Sequence, residues 1–192
     1  MLPRIGFLVV LLALAGCLTP PDAPTSGPTG TAPQGPFSIA SDAFQGGGAI
    51  PKSHACDGAG ASPMLQVTGI PGDATHLALI VGDPDAPTPL LPQQNFTHWV
   101  VYDVPVVAHA VTFPEGRPAE GAKEGQNGSG AAGWTPPCPP PGPAHRYFFT
   151  AVALRAPLGL ASGATRADVE SAFAGREIAR VALVGTYARQ PI

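Results

Sequence analysis

The sequence predicts a mainly β protein: an antiparallel β-sandwich of two sheets with one short helix near the C-terminus. Three observations predict it. Several segments are continuously apolar or alternate apolar and polar with the strand period. Clusters of glycine and proline, 24 and 25 residues in a chain of 192, separate those segments. A single stretch combines a helix cap with helical spacing. The 44% hydrophobic content supplies a core. A formal net charge of −3, with 12% charged residues, gives no basis for a nucleic-acid or anionic-surface partner.

The chain begins with Arg4 before an apolar run from Ile5 to Ala15. That run is too short to span a bilayer and suits the apolar region of a signal peptide. Leu14-Ala15-Gly16-Cys17 follows and resembles a prokaryotic lipobox. Residues 1–16 are therefore expected to be a lipoprotein signal peptide, with Cys17 acylated and becoming the mature N-terminus. Two or more acyl chains anchor a protein stably where one binds only marginally. Residues 17–36 read as a Pro/Thr/Gly-rich tether with too little apolar surface to offset its ordering entropy. At ~3 Å per residue it reaches roughly 60 Å from the lipid. The expected location is the outer face of the cell membrane, or a periplasmic membrane face. The domain is expected over residues 37–192.

Within the domain, short strands are expected around Phe37–Ser41 and Met64–Val67. The run "HLALIVGD" suits a central strand, being apolar throughout. In Thr97–Val104, alternation puts His98, Val100 and Tyr102 on one face, with Trp99, Val101 and Asp103 on the other. In His145–Leu154 it puts His145, Tyr147 and Phe149 together, opposite Arg146, Phe148 and Thr150. Thr165 can cap "RADVESAFAG", with Val169 and Phe173 on one face and Gly175 at the end. Glu177–Ala188 is the last strand candidate. Cys56 and Cys138 remain once Cys17 is set aside. In an oxidising compartment they are expected to form one disulfide closing about 80 residues, the alternative being two separate thiols.

The stretch Gly82-Asp83-Pro84-Asp85-Ala86-Pro87-Thr88 sets two carboxylates around a proline where the central strand ends. Taken alone it is a turn, since Asp side chains bond their own backbone and Pro presets φ. The loop Gly125–Gly142 is too rich in glycine and proline for a regular element, and it runs into His145-Arg146-Tyr147. His98, His145, Tyr147 and the two acids can then share a small polar cup. His54, His76 and His109 read as structural. There is no CxxC or HExxH spacing, so neither metal nor cofactor is expected.

The pieces "CDGAGASPML", "DPDAPT", "HWVVYDVP", "GQNGSGAAGW" and "PPCPPPGPAHRYFFTAVAL" occur in the order seen in phosphatidylethanolamine-binding proteins. The chain resembles their bacterial and archaeal branch, the Raf kinase inhibitor-like proteins, from Phe37 to about Arg189. The resemblance implies a two-sheet β-sandwich with an anion pocket at one end, formed by Asp83, Pro84, Asp85, His98, Pro139, His145 and Tyr147. It departs from the family pattern at Pro136-Pro137-Cys138, at Met64 and at Gly82, where relatives often carry an acid.

Two functions follow as expectations. The first is a membrane-tethered ligand-binding module that holds a phosphate, a carboxylate or a phospholipid headgroup, with a partner kinase or protease inhibited through the pocket rim. In it an Asp would orient and charge a His that donates to the anion, and Tyr147 would add a neutral donor. The alternative is an Asp/His hydrolase acting on a small ester or phosphoester. No GxSxG elbow surrounds Ser62, which favours binding over catalysis. A third reading is a scaffold with a vestigial pocket.

Overall fold

In the computed structural model, residues 35–86 and 95–190 are described. The signal peptide, Cys17, nearly all of the tether and Pro87 lie outside them. Among the described residues eight strands are formed: β1 Ser38–Ser41, β2 Leu65–Thr68, β3 His76–Asp83, β4 Phe96–Pro105, β5 Val111–Phe113, β6 Lys123–Glu124, β7 His145–Leu154 and β8 Glu177–Tyr187. They build a three-stranded sheet in the order β1-β2-β5 and a five-stranded sheet in the order β6-β4-β3-β7-β8. Every strand pair is antiparallel. The expected two-sheet architecture is present, with β5 and β6 too short to have stood out in the sequence.

The continuous apolar run of β3 has a physical cause. β3 is the middle strand of the larger sheet and is covered on both faces. Leu77, Leu79 and Val81 pack between the sheets with Leu65, Val67, Trp99, Phe113 and Phe149. Ala78 and Ile80 face the other way, against Val100, Tyr102, Val152, Leu158, Val169 and Phe173. That outer cluster is roofed by the helix α1, Arg166–Ser171. Thr165 Oγ1 accepts from the Asp168 amide at 3.2 Å, and Asp168 Oδ2 accepts from the Thr165 amide at 3.1 Å, a reciprocal cap. Val169 and Phe173 both reach the outer cluster as expected. The helix is shorter than the sequence suggested. The Phe173 carbonyl accepts from Arg176 and Glu177 amides, and Gly175 turns the chain at φ 71°.

Two irregularities in β4 correct the alternation read from the sequence. Val81 pairs with Trp99 but Gly82 pairs with Thr97, so His98 is an extra residue on β4. The bulge turns its ring away from the Val100 and Tyr102 face, to lie 5.1 Å from the ring of Tyr147. Further along, Leu77 pairs with Val104 and Leu79 with Val101, so β4 again carries an extra residue. Asp103 adopts φ 54° there. Its carboxylate accepts from the Leu158 amide at 2.6 Å and from Lys123 Nζ at 3.0 Å, not from the inter-sheet core.

Candidate functional site

The turn that ends β3 carries both readings of "DPDAP" at once. Asp83 is 2% exposed. Its Oδ1 accepts from the Asp85 amide at 2.8 Å, the side-chain-to-backbone bond expected of a turn former. Its Oδ2 accepts from His145 Nδ1–H at 2.8 Å, because β7 lies beside β3. A carboxylate there fixes the imidazole orientation and leaves Nε2 on the far side of the ring. Asp85 does something different. It accepts from the Arg146 amide, Nε and Nη2 at 2.9, 2.8 and 2.7 Å. Those bonds hold its carboxyl well below the usual range, at about 2. Of the two acids, then, Asp83 alone supports a histidine through a hydrogen bond, and the histidine is His145. Pro84 is exposed and is not among the residues lining the pocket, a correction to its expected place in the site. It sits in the turn that follows β3.

His98 is brought into this group by its bulge. Its Nδ1–H donates to the Thr135 carbonyl at 2.7 Å, and the Thr135 amide donates back to the His98 carbonyl at 2.8 Å. A carbonyl only accepts, so Nδ1 carries the proton in either charge state. Nε2 lies 3.9 Å from Asp83 Oδ2, too far for a hydrogen bond, and has no partner. Burial pushes the ring's pKa down from its ordinary value, against the opposing pull of the Thr135 carbonyl and Asp83. The expected charged ring is therefore not His98, which favours the neutral form. Tyr147 is fully buried and its hydroxyl also lacks a partner. Burial, followed by the negative charge of Asp83, pushes its phenol far above the usual range, so it stays a neutral donor.

These groups form the floor of a cavity of about 390 Å³, bounded by Asp85, Phe96, Pro139 and Pro140. Pro139 lines it as expected. The rigid rim depends on Asn127 and Trp134, which the sequence reading did not single out, and on the expected disulfide. Buried Asn127 accepts from the Ser129 and Ala131 amides and donates to the Gly133 carbonyl, folding the glycine-rich segment. Trp134 packs against His98 and Trp99 at 6.2 and 5.8 Å. The Cys56–Cys138 disulfide is formed, and the Cys56 amide donates to the Pro137 carbonyl at 3.0 Å. Cys138 itself lines the cavity. Phe96 and Thr135 also face it. An Asn set among glycines was the one available signal for the loop. Nothing in the sequence marks a main-chain acceptor such as Thr135.

Residues outside the pocket keep their structural roles. His54 Nδ1 meets the Ala61 carbonyl at 3.0 Å, and His109 Nδ1 meets the Ile70 carbonyl at 3.2 Å. His76 contacts Thr75 Oγ1 at 2.9 Å. Ser62 is fully buried and accepts from the Gly116 amide at 3.1 Å. Among the described residues no cluster of three or more His, Cys, Asp or Glu side chains is placed to hold a metal ion. A side chain at Gly82 would meet Asn95 Oδ1 at 2.6 Å and Arg166 Nη1 at 2.9 Å, so an acid does not fit there unless both move.

Comparison with known proteins agrees with this architecture. A family model described as "Phosphatidylethanolamine-binding protein" matches residues 40–188. The "UPF0098 protein" of Methanothermobacter thermautotrophicus is 40% identical over 156 residues, covering 80% of this chain and 99% of its own. A Mycobacterium tuberculosis protein named "Putative lipoprotein LppC" is 34% identical over 193 residues, covering 94% of this chain and 92% of its own. Among solved structures, a phosphatidylethanolamine-binding protein homolog from Chlamydia trachomatis matches with a TM-score of 0.75 and 37% identity, over 81% of this chain and 99% of that one. The chain belongs to the phosphatidylethanolamine-binding protein family.

Proposed function

We propose that this protein is an exported, lipid-anchored ligand-binding module whose pocket takes a small anionic group, a phosphate, a carboxylate or a phospholipid headgroup. The observation that carries the reading is the pair of buried polar atoms without partners, His98 Nε2 and the Tyr147 hydroxyl, on the floor of one cavity. Unsatisfied polar atoms cost of the order of 1–3 kcal/mol each, so two in one cavity are best explained by a polar ligand. Asp83 does not simply repel that ligand. Both of its oxygens already accept hydrogen bonds, and it orients His145 toward the anion. The lipobox at Cys17 and the tether support a location outside the membrane. The mycobacterial relative's name and the Cys56–Cys138 disulfide support that location. The rim that the disulfide braces is the surface a partner kinase or protease would meet.

Saturable anion binding measured by calorimetry tests this. His145→Ala should weaken affinity about tenfold or more. Affinity unchanged in His145→Ala would contradict the reading. A second reading has one observation in its favour. Asp83 and His145 form a carboxylate–imidazole pair with Nε2 free to move a proton, the arrangement a general base needs. Turnover of model esters or phosphoesters, abolished in His145→Ala, would replace binding by hydrolysis.

A further inference from the structure

We infer that the pocket selects a phosphate that still carries a proton: a P–OH group donates to His98 Nε2 while another phosphate oxygen accepts from the Tyr147 hydroxyl. The inference rests on the anion-binding reading and narrows its ligand to free phosphate or a phosphomonoester, against sulfate and phosphodiesters. It starts from an asymmetry in hydrogen-bond inventory. Nδ1–H of His98 is held by the Thr135 carbonyl at 2.7 Å, which leaves Nε2 as the ring nitrogen still open to a partner, on a residue that lines the cavity. That atom is buried and unpartnered. In the neutral ring it is a lone pair and accepts only.

The groups around the ring decide its charge. Asp83 of β3 faces Nε2 at 3.9 Å and favours an imidazolium. Asp83 Oδ2 already accepts from His145 Nδ1, and Oδ1 from the Asp85 amide. His145 and Tyr147 of β7 stand on the same side, the Phe96 and Trp134 rings enclose His98, and the ring is 4% exposed. Asp85 is paired with Arg146. Desolvation therefore prevails and the ring favours the neutral form. A ligand that offers only acceptor oxygens would set a lone pair against a lone pair at Nε2, or would need a proton taken from solvent onto a ring that resists it. Hydrogen phosphate brings that proton with it. Sulfate has the same shape and, near neutral pH, the same charge, and a dialkyl phosphate keeps the phosphorus, but neither has the O–H.

Calorimetry on the full chain at about pH 7.5, with inorganic phosphate, sulfate and dimethyl phosphate as probes, tests the inference. Phosphate should bind at least about tenfold tighter than the other two, the size expected when one buried acceptor is left facing an acceptor. The advantage over sulfate should shrink as pH falls and the ring gains its own proton. It should also shrink in His98→Gln, whose amide can turn a donor to the ligand. Methyl phosphate separates the two sources. If it gains affinity as pH falls below about 6, where it too carries a proton, the ligand is a monoester. If inorganic phosphate alone binds with selectivity, the ligand is free phosphate. Sulfate or dimethyl phosphate within about twofold of phosphate would overturn the inference and leave anion binding standing. So would selectivity that survives unchanged in His98→Gln. Binding of none of the probes would instead remove the anion reading itself.

Discussion

Strands β3 and β4 carry a buried aspartate at each end of their pairing, and the two ends behave differently. Asp103 is at one end, beside a bulge, with a left-handed backbone. Its two oxygens are bonded to Lys123 Nζ and the Leu158 amide, and Lys123 also donates to the Leu160 carbonyl at 2.7 Å. Polar groups at that end answer one another and tie the outer layer to the sheet. Asp83 is at the other end, also beside a bulge, with its two oxygens equally occupied. There the neighbours are left incomplete: His98 Nε2 and the Tyr147 hydroxyl are buried without partners. A buried carboxylate at a strand end therefore does not mark a site. Buried polar atoms left over after the carboxylate is satisfied, on residues that line one cavity, are what supports the binding reading at the other end.

Substitutions at the two ends should separate stability from binding. The largest effect is expected from Cys56→Ser with Cys138→Ser. The bond closes a loop with a sequence separation of 82. Loop entropy alone then predicts a loss of about 4–5 kcal/mol in denaturant unfolding, with weaker anion binding as the rim loosens. Asp103→Ala should cost about 2–4 kcal/mol, because it strands the Leu158 amide and removes the Lys123 partner. Its anion affinity should stay within about twofold of wild type. A comparable loss of affinity would erase the contrast between the two ends. Asp83→Asn should do the reverse. An amide keeps one acceptor oxygen, so stability falls by only about 1 kcal/mol, while phosphate affinity falls about tenfold as His145 loses its orientation.

The smallest effect is a pH dependence to which the pocket end contributes two groups. His98 has a folded pKa below its ordinary 6.5, so its neutral burial stabilises fully above that value. The contribution is lost as pH falls through the lower folded value. Asp85 is shifted from 3.8 to about 2, so its pairing stabilises fully above 3.8 and is lost as pH falls toward 2. Both changes weaken the fold on acidification, in two separate steps. Thermal unfolding across pH should show the upper step disappear in His98→Gln and the lower one shrink in Asp85→Asn, where Asp57, Asp168 and Glu177, also held low, still contribute.

The sequence carried the fold where the pattern is local and regular. The apolar β3, the alternation of β7 and the capping box at Thr165 all read directly, because each depends on neighbours a few residues apart. The site was legible in its members, since His98, His145, Tyr147, Asp83 and Pro139 do converge. Its wiring was not. The faces of His98 and Asp103 were misassigned because one extra residue in a strand reverses every side chain beyond it, and alternation cannot count residues on the partner strand. Asp85 was grouped with the histidines because its partner Arg146 depends on the β3–β7 register. Thr135 contributes a carbonyl, which any residue could supply. The departure at Gly82 became intelligible only with Asn95 and Arg166 packed over it.

The central claim is that the Tyr147 hydroxyl is left unpartnered for a ligand and does no structural work. Phosphate affinity and unfolding free energy, measured together on wild type and Tyr147→Phe, test it most directly. Removing an unpartnered buried hydroxyl should leave stability unchanged within about 0.5 kcal/mol, or raise it slightly, while phosphate affinity drops about tenfold. Unchanged affinity, or a loss of stability above about 1 kcal/mol with binding intact, would contradict the account.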